Sequence, residues 1–249
     1  MTLRLVFGLP LRQAEGFLRS VLSLMNVDLE APDHTTLSRR SQHLDVRFHL
    51  VPAYEPIHLS VDSSGLSVVG EGEWAAAKHG GRGTRGWKKL HLGVDGSGAI
   101  VARVLTDGST DDAQIGLTLI SAVDSAVSRV TADGAYDTIA IYEAARARGE
   151  TVVVPPTKTA VVSRRRPRAS ARDHTILRVK QVGRRQWKKE AGYHRQARVE
   201  NAFFRYKSTI GGRLRARHPM AQETEAAIAC NILNRLTERG RPTSFAIGP

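Results

Sequence analysis

Hydrophobic residues recur at helical spacing in the first part of the chain. Apolar side chains in residues 12–25 repeat at intervals of three and four, which predicts one amphipathic helix. After a proline-containing connection, Asp33 is placed to cap a short helix that carries Arg39 and Arg40. Two helices, the second of them basic, suggest a small helix-turn-helix-like segment. Helical hairpins that never contact DNA share this pattern, so the alternative stays open.

From residue 57 onward, the pattern changes to runs typical of strands, rich in β-branched residues and interrupted by Gly and Asp. The strand-like runs are IHLSVDSSGLSVV, KKLHLGVDGSGAIVARVLTDG, SRVTADGAYD and TVVVPP. DGSG at 95–98 predicts a hairpin turn. Helical patterns follow at DDAQIGLTLISAV and at TIAIYEAARARG, the second with Asp137 as its predicted N-cap. This order predicts an α/β domain that opens with an antiparallel meander.

Two further helices are predicted near the end of the chain. Their apolar stripes are Val199, Ala202, Phe203 and Tyr206 in the first, and Ala226, Ala229, Cys230 and Leu233 in the second. The predicted fold class is therefore α/β, a mixed sheet flanked by helices. We expect a helical segment at residues 1–50 and the α/β domain at residues 55–249.

The charge of the chain indicates what kind of partner it binds. The formal net charge of +13 and a pI near 10.5 favour polyanions, and nucleic acid first among them. A basic but otherwise ordinary enzyme is the alternative. The sequence has no run of eighteen apolar residues and no secretory signal, so we expect a cytoplasmic protein that is not bound to membranes. The single Cys230 excludes an internal disulfide and a zinc finger.

The charge is concentrated between about residues 157 and 192, a basic insertion in the α/β domain. Twelve basic residues face only two acidic ones there: Lys158, Arg164, Arg165, Arg166, Arg168, Arg172, Arg178, Lys180, Arg184, Arg185, Lys188 and Lys189. Part of this segment, SRRRPRASAR, has the composition of a loop that becomes ordered on a polyanion, although such runs are often only solvated. Trp187 inside it fits either base stacking or a core anchor.

Three carboxylates are candidates for chemistry. Asp62 follows the apolar run IHLSV and is expected near the end of the first strand, while Asp133 closes the fourth. If these strands are neighbours, the two carboxylates lie together, at the edge where ligands of α/β sheets collect. Glu200 shares a helix face with Tyr193, Gln196 and Lys207, so the helix can pack on the sheet while Glu200 reaches its rim.

Carboxylates with no His or Cys beside them are hard oxygen ligands, which suit Mg²⁺ or Mn²⁺ better than zinc. Two such ions can activate an attacking oxygen and stabilise the leaving one in phosphoryl transfer. The remaining acids of the turns are expected to be turn formers or helix caps, namely Asp95, Asp107, Asp111 and Asp137.

These residues resemble a known family. VDSSGL around Asp62, TADGAYD around Asp133 and the helix with Tyr193, Glu200 and Lys207 are similar to the DDE transposases of bacterial insertion sequences, in the branch called the IS-five group. VVGEGEW and KHGGRGTRGWKKLHLGVDG are also similar to that group, and the resemblance covers nearly the whole chain.

The resemblance implies a ribonuclease-H-like catalytic domain that binds two Mg²⁺, with Mn²⁺ able to substitute. Such a domain cuts at transposon ends and joins the freed 3′-hydroxyls to target DNA. It implies Asp62, Asp133 and Glu200 as catalytic metal ligands, and Tyr193 and Lys207 as DNA contacts. The implied partners are terminal inverted repeats, target DNA and a second copy of the chain as a homodimer, at the nucleoid.

Two features depart from the family pattern. The family has an Arg where this chain has Gln196, so phosphate binding there would need Arg195 or Arg198. Relatives carry several tens of residues before the segment that begins here, which implies a shortened N-terminal DNA-binding region. Two alternatives therefore stay open: an inactive remnant that only binds DNA, and a general nuclease of the same fold.

Overall fold

The computed structural model of the chain describes residues 1–48, 55–68, 87–163 and 170–240. Its N-terminal part holds three helices: α1 (Thr2–Val6), α2 (Leu11–Leu24) and α3 (His34–Arg40). Asp33 caps α3 as predicted, because its side chain accepts a hydrogen bond from Thr36 N. Glu15 of α2 accepts hydrogen bonds from the backbone and the ring of His34, which joins α2 to α3.

A mixed sheet forms the centre of the molecule. Three strands build the predicted antiparallel meander: β1 (Ile57–Val68), β2 (Trp87–Val94) and β3 (Ile100–Asp107). β4 (Val127–Ala132) and β5 (Thr151–Val153) run parallel to β1, and the order is β3-β2-β1-β4-β5. The short β6 (Arg213–Leu214) pairs with the end of β1.

Helices lie on both faces of this sheet. They are α4 (Asp112–Ser121), α5 (Ile139–Ala147), α6 (Ala171–Val182), α7 (Arg184–Glu190), α8 (Ala197–Thr209) and α9 (Pro219–Arg239). Leu59 and Val61 of β1 pack with the apolar side chains of α4 and α5. Leu66 and Val68 pack on the opposite face with α8 and α9. The predicted fold class, an α/β fold with a mixed sheet flanked by helices, is confirmed.

The alternation along β1 decides which face carries the candidate carboxylate. Because successive side chains of a strand point to opposite faces, Asp62 shares its face with Leu66 and Val68 rather than with Leu59 and Val61. α8, the helix that carries Glu200, packs on that same face. The sheet thus brings Asp62 and Glu200 to one side.

Two local expectations are wrong. β1 does not end near Asp62, because Ser63, Ser64 and Gly65 continue the pairing with β2 instead of forming a turn. Asp137 does not cap α5; Thr138 does, its side chain accepting from Ile141 N.

The basic insertion is largely helical in the part of it that the structure describes, since α6 and α7 lie within 170–192. Among the described residues, no helix combines the length and the apolar character needed to cross a membrane.

Candidate active site

Strand pairing brings Asp62 and Asp133 together. Val61 of β1 pairs with Ala132 of β4 in a parallel register, so the residues that follow each of them are neighbours. Asp62 Oδ1 accepts a hydrogen bond of 2.8 Å from Ser63 N. Asp133 begins a single 3-10 turn, and its Oδ1 accepts one of 2.9 Å from Ala135 N. The two strands are neighbours, as expected, so Asp62 on β1 lies beside the turn after β4 that begins at Asp133.

Glu200 reaches the same region from α8. It lies in the first turn of that helix and is exposed, while the predicted apolar stripe beside it is buried. The pKa of Asp62 is raised to about 6, first by burial and then by the negative charges of Asp133, Glu200 and Asp112. Asp133, Glu200 and Asp112 are thus the acids whose charges act on Asp62.

Tyr193 also belongs to this site. Burial and then the charges of Asp133, Glu200 and Asp62 raise the pKa of its phenol to about 12. The Lys188 ammonium lies 4.5 Å from the centre of the Tyr193 ring, a cation–π contact. Lys207 is exposed in the last turn of α8, seven residues after Glu200. Tyr193 therefore lies within the field of the carboxylates, whereas Lys207 stands at the far end of the helix that carries Glu200.

The donor set has the chemistry of a magnesium site. Carboxylate oxygens are the ligands that Mg²⁺ prefers. In this structure, however, no three His, Cys, Asp or Glu side chains of the described residues come close enough to hold a metal ion. Strand pairing places Asp62 beside Asp133, but Glu200 does not complete a three-ligand cluster with them.

Two predicted DNA contacts are buried, which corrects their assignment. Gln196 is 2% exposed, and its Nε2 donates a hydrogen bond of 3.0 Å to Val61 O. Gln196 was expected to share an exposed helix face with Glu200. It does not, because residues 193–196 form a 3-10 turn rather than the first turn of α8. Trp187 is 6% exposed and packs near Tyr193, with ring centres 6.4 Å apart. Trp187 is therefore a core anchor and not a base-stacking surface.

The other predicted DNA contacts lie mostly at the surface. Exposed side chains are those of Arg39 and Arg40 at the end of α3, together with Arg184, Arg185, Lys189, Arg195 and Arg198. Arg184 donates a hydrogen bond to Pro156 O, and Arg195 donates one to His58. Arg164, Arg165 and Arg166 lie outside the described residues.

The sequence analysis missed three residues beside the site. Asp112 adds to the negative charge around Asp62 and is paired with Lys89 Nζ at 3.3 Å. His58 and Arg129 pair in register on β1 and β4. His58 lies four residues before Asp62, and Arg129 lies four residues before Asp133. Because every second residue of a strand points to the same face, this spacing could have identified both residues from the sequence.

The comparisons with known proteins place the chain in a family. A sequence model described as "Transposase DDE domain" matches residues 53–235, well over half of the chain. The chain belongs to the DDE transposase domain family. A second model with the same description matches residues 1–71.

Among solved structures, the chain resembles one from the cryo-EM structure of the simian T-cell lymphotropic virus intasome in complex with the PP2A regulatory subunit B56 gamma. The match has 12% identity and a TM-score of 0.37, and it covers 91% of this chain and 69% of that one.

Proposed function

We propose that this DDE transposase domain protein catalyses Mg²⁺-dependent cleavage of DNA at transposon ends and joins the freed 3′-hydroxyls to target DNA. Asp62, Asp133 and Glu200 would hold two Mg²⁺ ions, for which Mn²⁺ could substitute. Such ions would supply activation of the attacking oxygen and stabilisation of the leaving one. Membership of the IS-five group of bacterial insertion sequences is part of the same proposal.

The observation that carries the proposal is the coupling of the three carboxylates. They come from β1, from the turn after β4 and from the first turn of α8, and their charges act together on Asp62. A fold gains no stability from acids collected in this way, because each raises the cost of ionising its neighbour. Such an arrangement is typical of a functional site.

The surrounding residues supply DNA contacts in this proposal. Tyr193 and Lys207 lie beside the scissile phosphate, and the exposed basic residues of the insertion bind the flanking backbone. Arg39 and Arg40 at the end of α3 contact the duplex further away. We propose a homodimer that pairs two terminal inverted repeats at the nucleoid of the cytoplasm. The boundary of the catalytic domain near residue 55 and the helical DNA-binding segment at 1–50 belong to this proposal.

The test separates cleavage from binding. Asp62→Asn, Asp133→Asn and Glu200→Gln should each abolish Mg²⁺-dependent cutting of a duplex with the element's terminal repeat, while the affinity for that duplex stays within about threefold. Removing one ligand charge at a metal-dependent site costs orders of magnitude in rate, whereas backbone contacts are untouched. Asp124→Asn, which changes an exposed acid elsewhere, is the matched control and should cut at the wild-type rate. A ligand variant that cuts at the wild-type rate would remove that acid from the site.

One observation favours a second function. Since the described acids do not converge on one point, a remnant that occupies transposon ends without cutting them fits the same fold. The two functions differ in one result, because the remnant binds the terminal repeat with unchanged affinity in Mg²⁺ and in EDTA and never cuts it. Cutting without preference for terminal repeats would instead indicate a general nuclease.

A further inference from the structure

A cluster of positive charge lies on the same face of the sheet as the carboxylates. His58, four residues before Asp62, and Arg129, four residues before Asp133, are partners in the register of β1 and β4. Four residues of a strand span about 13 Å. Since side chains two and four residues apart share a face, this pair points to the side that carries Asp62 and Asp133.

The turn before α8 adds further cationic groups beside this pair. The Arg129 Nη1 atom lies 3.7 Å from the position that a Cβ would take at Gly192, so its guanidinium rests against this turn. Ser60 Oγ donates a hydrogen bond of 3.2 Å to Arg195 O, which fastens the turn to β1. We define the cationic cluster as Arg129, the register partner of His58, Arg195, which contacts its ring, and His194 and Arg198, whose charges also act on it.

The hydrogen bonds of His58 indicate that its imidazole ring is neutral. Arg195 Nη1 lies 3.1 Å from His58 Nδ1, and a guanidinium can only donate, so Nδ1 is the acceptor. Nε2 then carries the proton and donates to Thr131 Oγ1 at 2.7 Å. Burial, followed by the charges of the cluster, lowers the pKa of His58 to about 4, in agreement with a neutral ring.

No acidic side chain of the described residues neutralises the guanidinium groups of the cluster. Within the described parts of the chain, Arg129, Arg195 and Arg198 form no ion pair with a carboxylate. By contrast, Arg172 and Arg178 of the basic insertion are each paired with an acid. Guanidinium groups that lie near one neutral ring and have no carboxylate partner are typical of an anion site, because the planar fork of Arg matches phosphate oxygens.

We propose that the cationic cluster is a phosphate subsite that holds the backbone of the DNA strand running past the carboxylates. The distance of about 13 Å corresponds to a few nucleotides, at about 3.4 Å of axial rise per nucleotide. The subsite fixes the strand in register, so that the scissile phosphate falls at Asp62 and Asp133. This inference rests on the proposed function and adds Arg129 and His194 to the DNA contacts named there.

The experiment measures how the affinity for DNA depends on salt. The probe is a fluorescein-labelled duplex of roughly 30 base pairs with the element's terminal repeat, read by anisotropy in EDTA between about 50 and 200 mM NaCl. For Arg129→Gln and Arg198→Gln, the slope of log K against log salt should be smaller in magnitude by about 0.9 each, one phosphate contact apiece. Arg235→Gln, an exposed arginine on α9, is the matched control and should keep the wild-type slope.

The outcomes separate the subsite from the proposed function. If both arginine variants keep the wild-type slope while wild type binds and cuts the repeat, the subsite is wrong and the function stands. If wild type shows no salt-dependent binding, the proposed function itself is wrong. Arg195→Gln also removes the hydrogen-bond donor to His58 Nδ1. Its salt slope is therefore interpreted only beside the slopes of Arg129→Gln and Arg198→Gln.

A second measurement locates the subsite on the strand. Single phosphates of the probe are replaced, one position at a time, by uncharged methylphosphonates. Wild type should lose affinity at a phosphate a few nucleotides from the cleavage point, and Arg129→Gln should lose none at that same phosphate. Equal losses in both proteins would overturn the proposal. Stabilisation of wild type by inorganic phosphate, with no such position in the DNA, would indicate a small-anion site and would also overturn it.

Discussion

Asp62 is a half-buried carboxylate on the central strand with three other acids acting on it. It pairs with Leu92 of β2 and directly follows Val61, the last residue that pairs with β4. Because its pKa is raised, ionising Asp62 in the folded protein lowers the free energy of unfolding. Strain of this kind is expected where binding a cation is the purpose of the arrangement.

Removing this charge should stabilise the metal-free protein. The folded-state pKa of Asp62, about 6, lies above the ordinary value of 3.8, so the folded protein holds the proton more tightly. The cost of ionisation is absent at low pH, grows between about pH 4 and 6, and is complete above that range. Asp62→Asn should therefore raise the free energy of unfolding by about 1–3 kcal/mol near pH 8, and by much less near pH 4.

Urea unfolding in EDTA at the two pH values measures this difference. The exposed Asp124→Asn is the control and should show no pH-dependent gain. An Asp62→Asn protein that is less stable than wild type near pH 8 would mean that the carboxylate is compensated in the folded state.

The sequence predicted the three carboxylates, but not everything around them. Hydrophobic period and turn residues were enough for the meander and for the helices with clear apolar stripes. Gly65 resembled a turn residue, yet its missing Cβ makes room for the Trp87 ring, at 3.1 Å from where that atom would lie. Gln196 and Trp187 became buried through tertiary contacts with β1 and Tyr193, which no local pattern encodes.

At the scale of elements, one ion pair joins the basic helix α6 to the segment that follows Asp133. Asp137, whose side chain is fully buried, accepts hydrogen bonds from Arg172 Nε at 2.7 Å and from Arg172 Nη2 at 2.9 Å. It also accepts one of 3.0 Å from Thr157 N. Asp137 lies four residues after Asp133, so this bidentate pair ties α6 to the segment that holds the second carboxylate.

Breaking this pair should destabilise the protein strongly. Arg172→Ala leaves the Asp137 carboxylate buried without its counter-charge, which costs about 3–5 kcal/mol. Arg178→Ala on the same helix is the matched control, because its partner Glu190 is 33% exposed and such a pair contributes only about 0–1 kcal/mol. Urea unfolding of both variants gives the comparison. Similar losses in the two proteins would contradict the role of burial.

Two helical glycines should respond in opposite directions to alanine. A Cβ at Gly116 of α4 would lie 2.8 Å from Tyr136 Cδ1, so Gly116→Ala should destabilise by about 1–3 kcal/mol through overpacking. A Cβ at Gly16 of α2 would meet no atom within 4 Å, so Gly16→Ala should stabilise by about 0.5–1 kcal/mol. Thermal unfolding of the two variants tests both signs. Stabilisation by Gly116→Ala would show that the Tyr136 ring can move away.

At the scale of the whole molecule, the chain has a net charge of +13, whereas the three candidate carboxylates are acidic. The positive charge attracts DNA at long range, while the coupled carboxylates exclude phosphates until cations neutralise them. DNA binding and cleavage should therefore differ in their need for metal. In the proposed function, the net charge supplies DNA binding and the three acids supply the chemistry.

The most direct measurement is cleavage of a labelled duplex with the element's own terminal repeat, in Mg²⁺ and in EDTA, by wild type and by Asp133→Asn. The proposed function predicts cutting at the boundary of the repeat by wild type in Mg²⁺ only, and none by the variant. Binding of the duplex without cutting at any Mg²⁺ concentration would contradict it. That result would instead identify the protein as a DNA-binding remnant with the fold of a transposase.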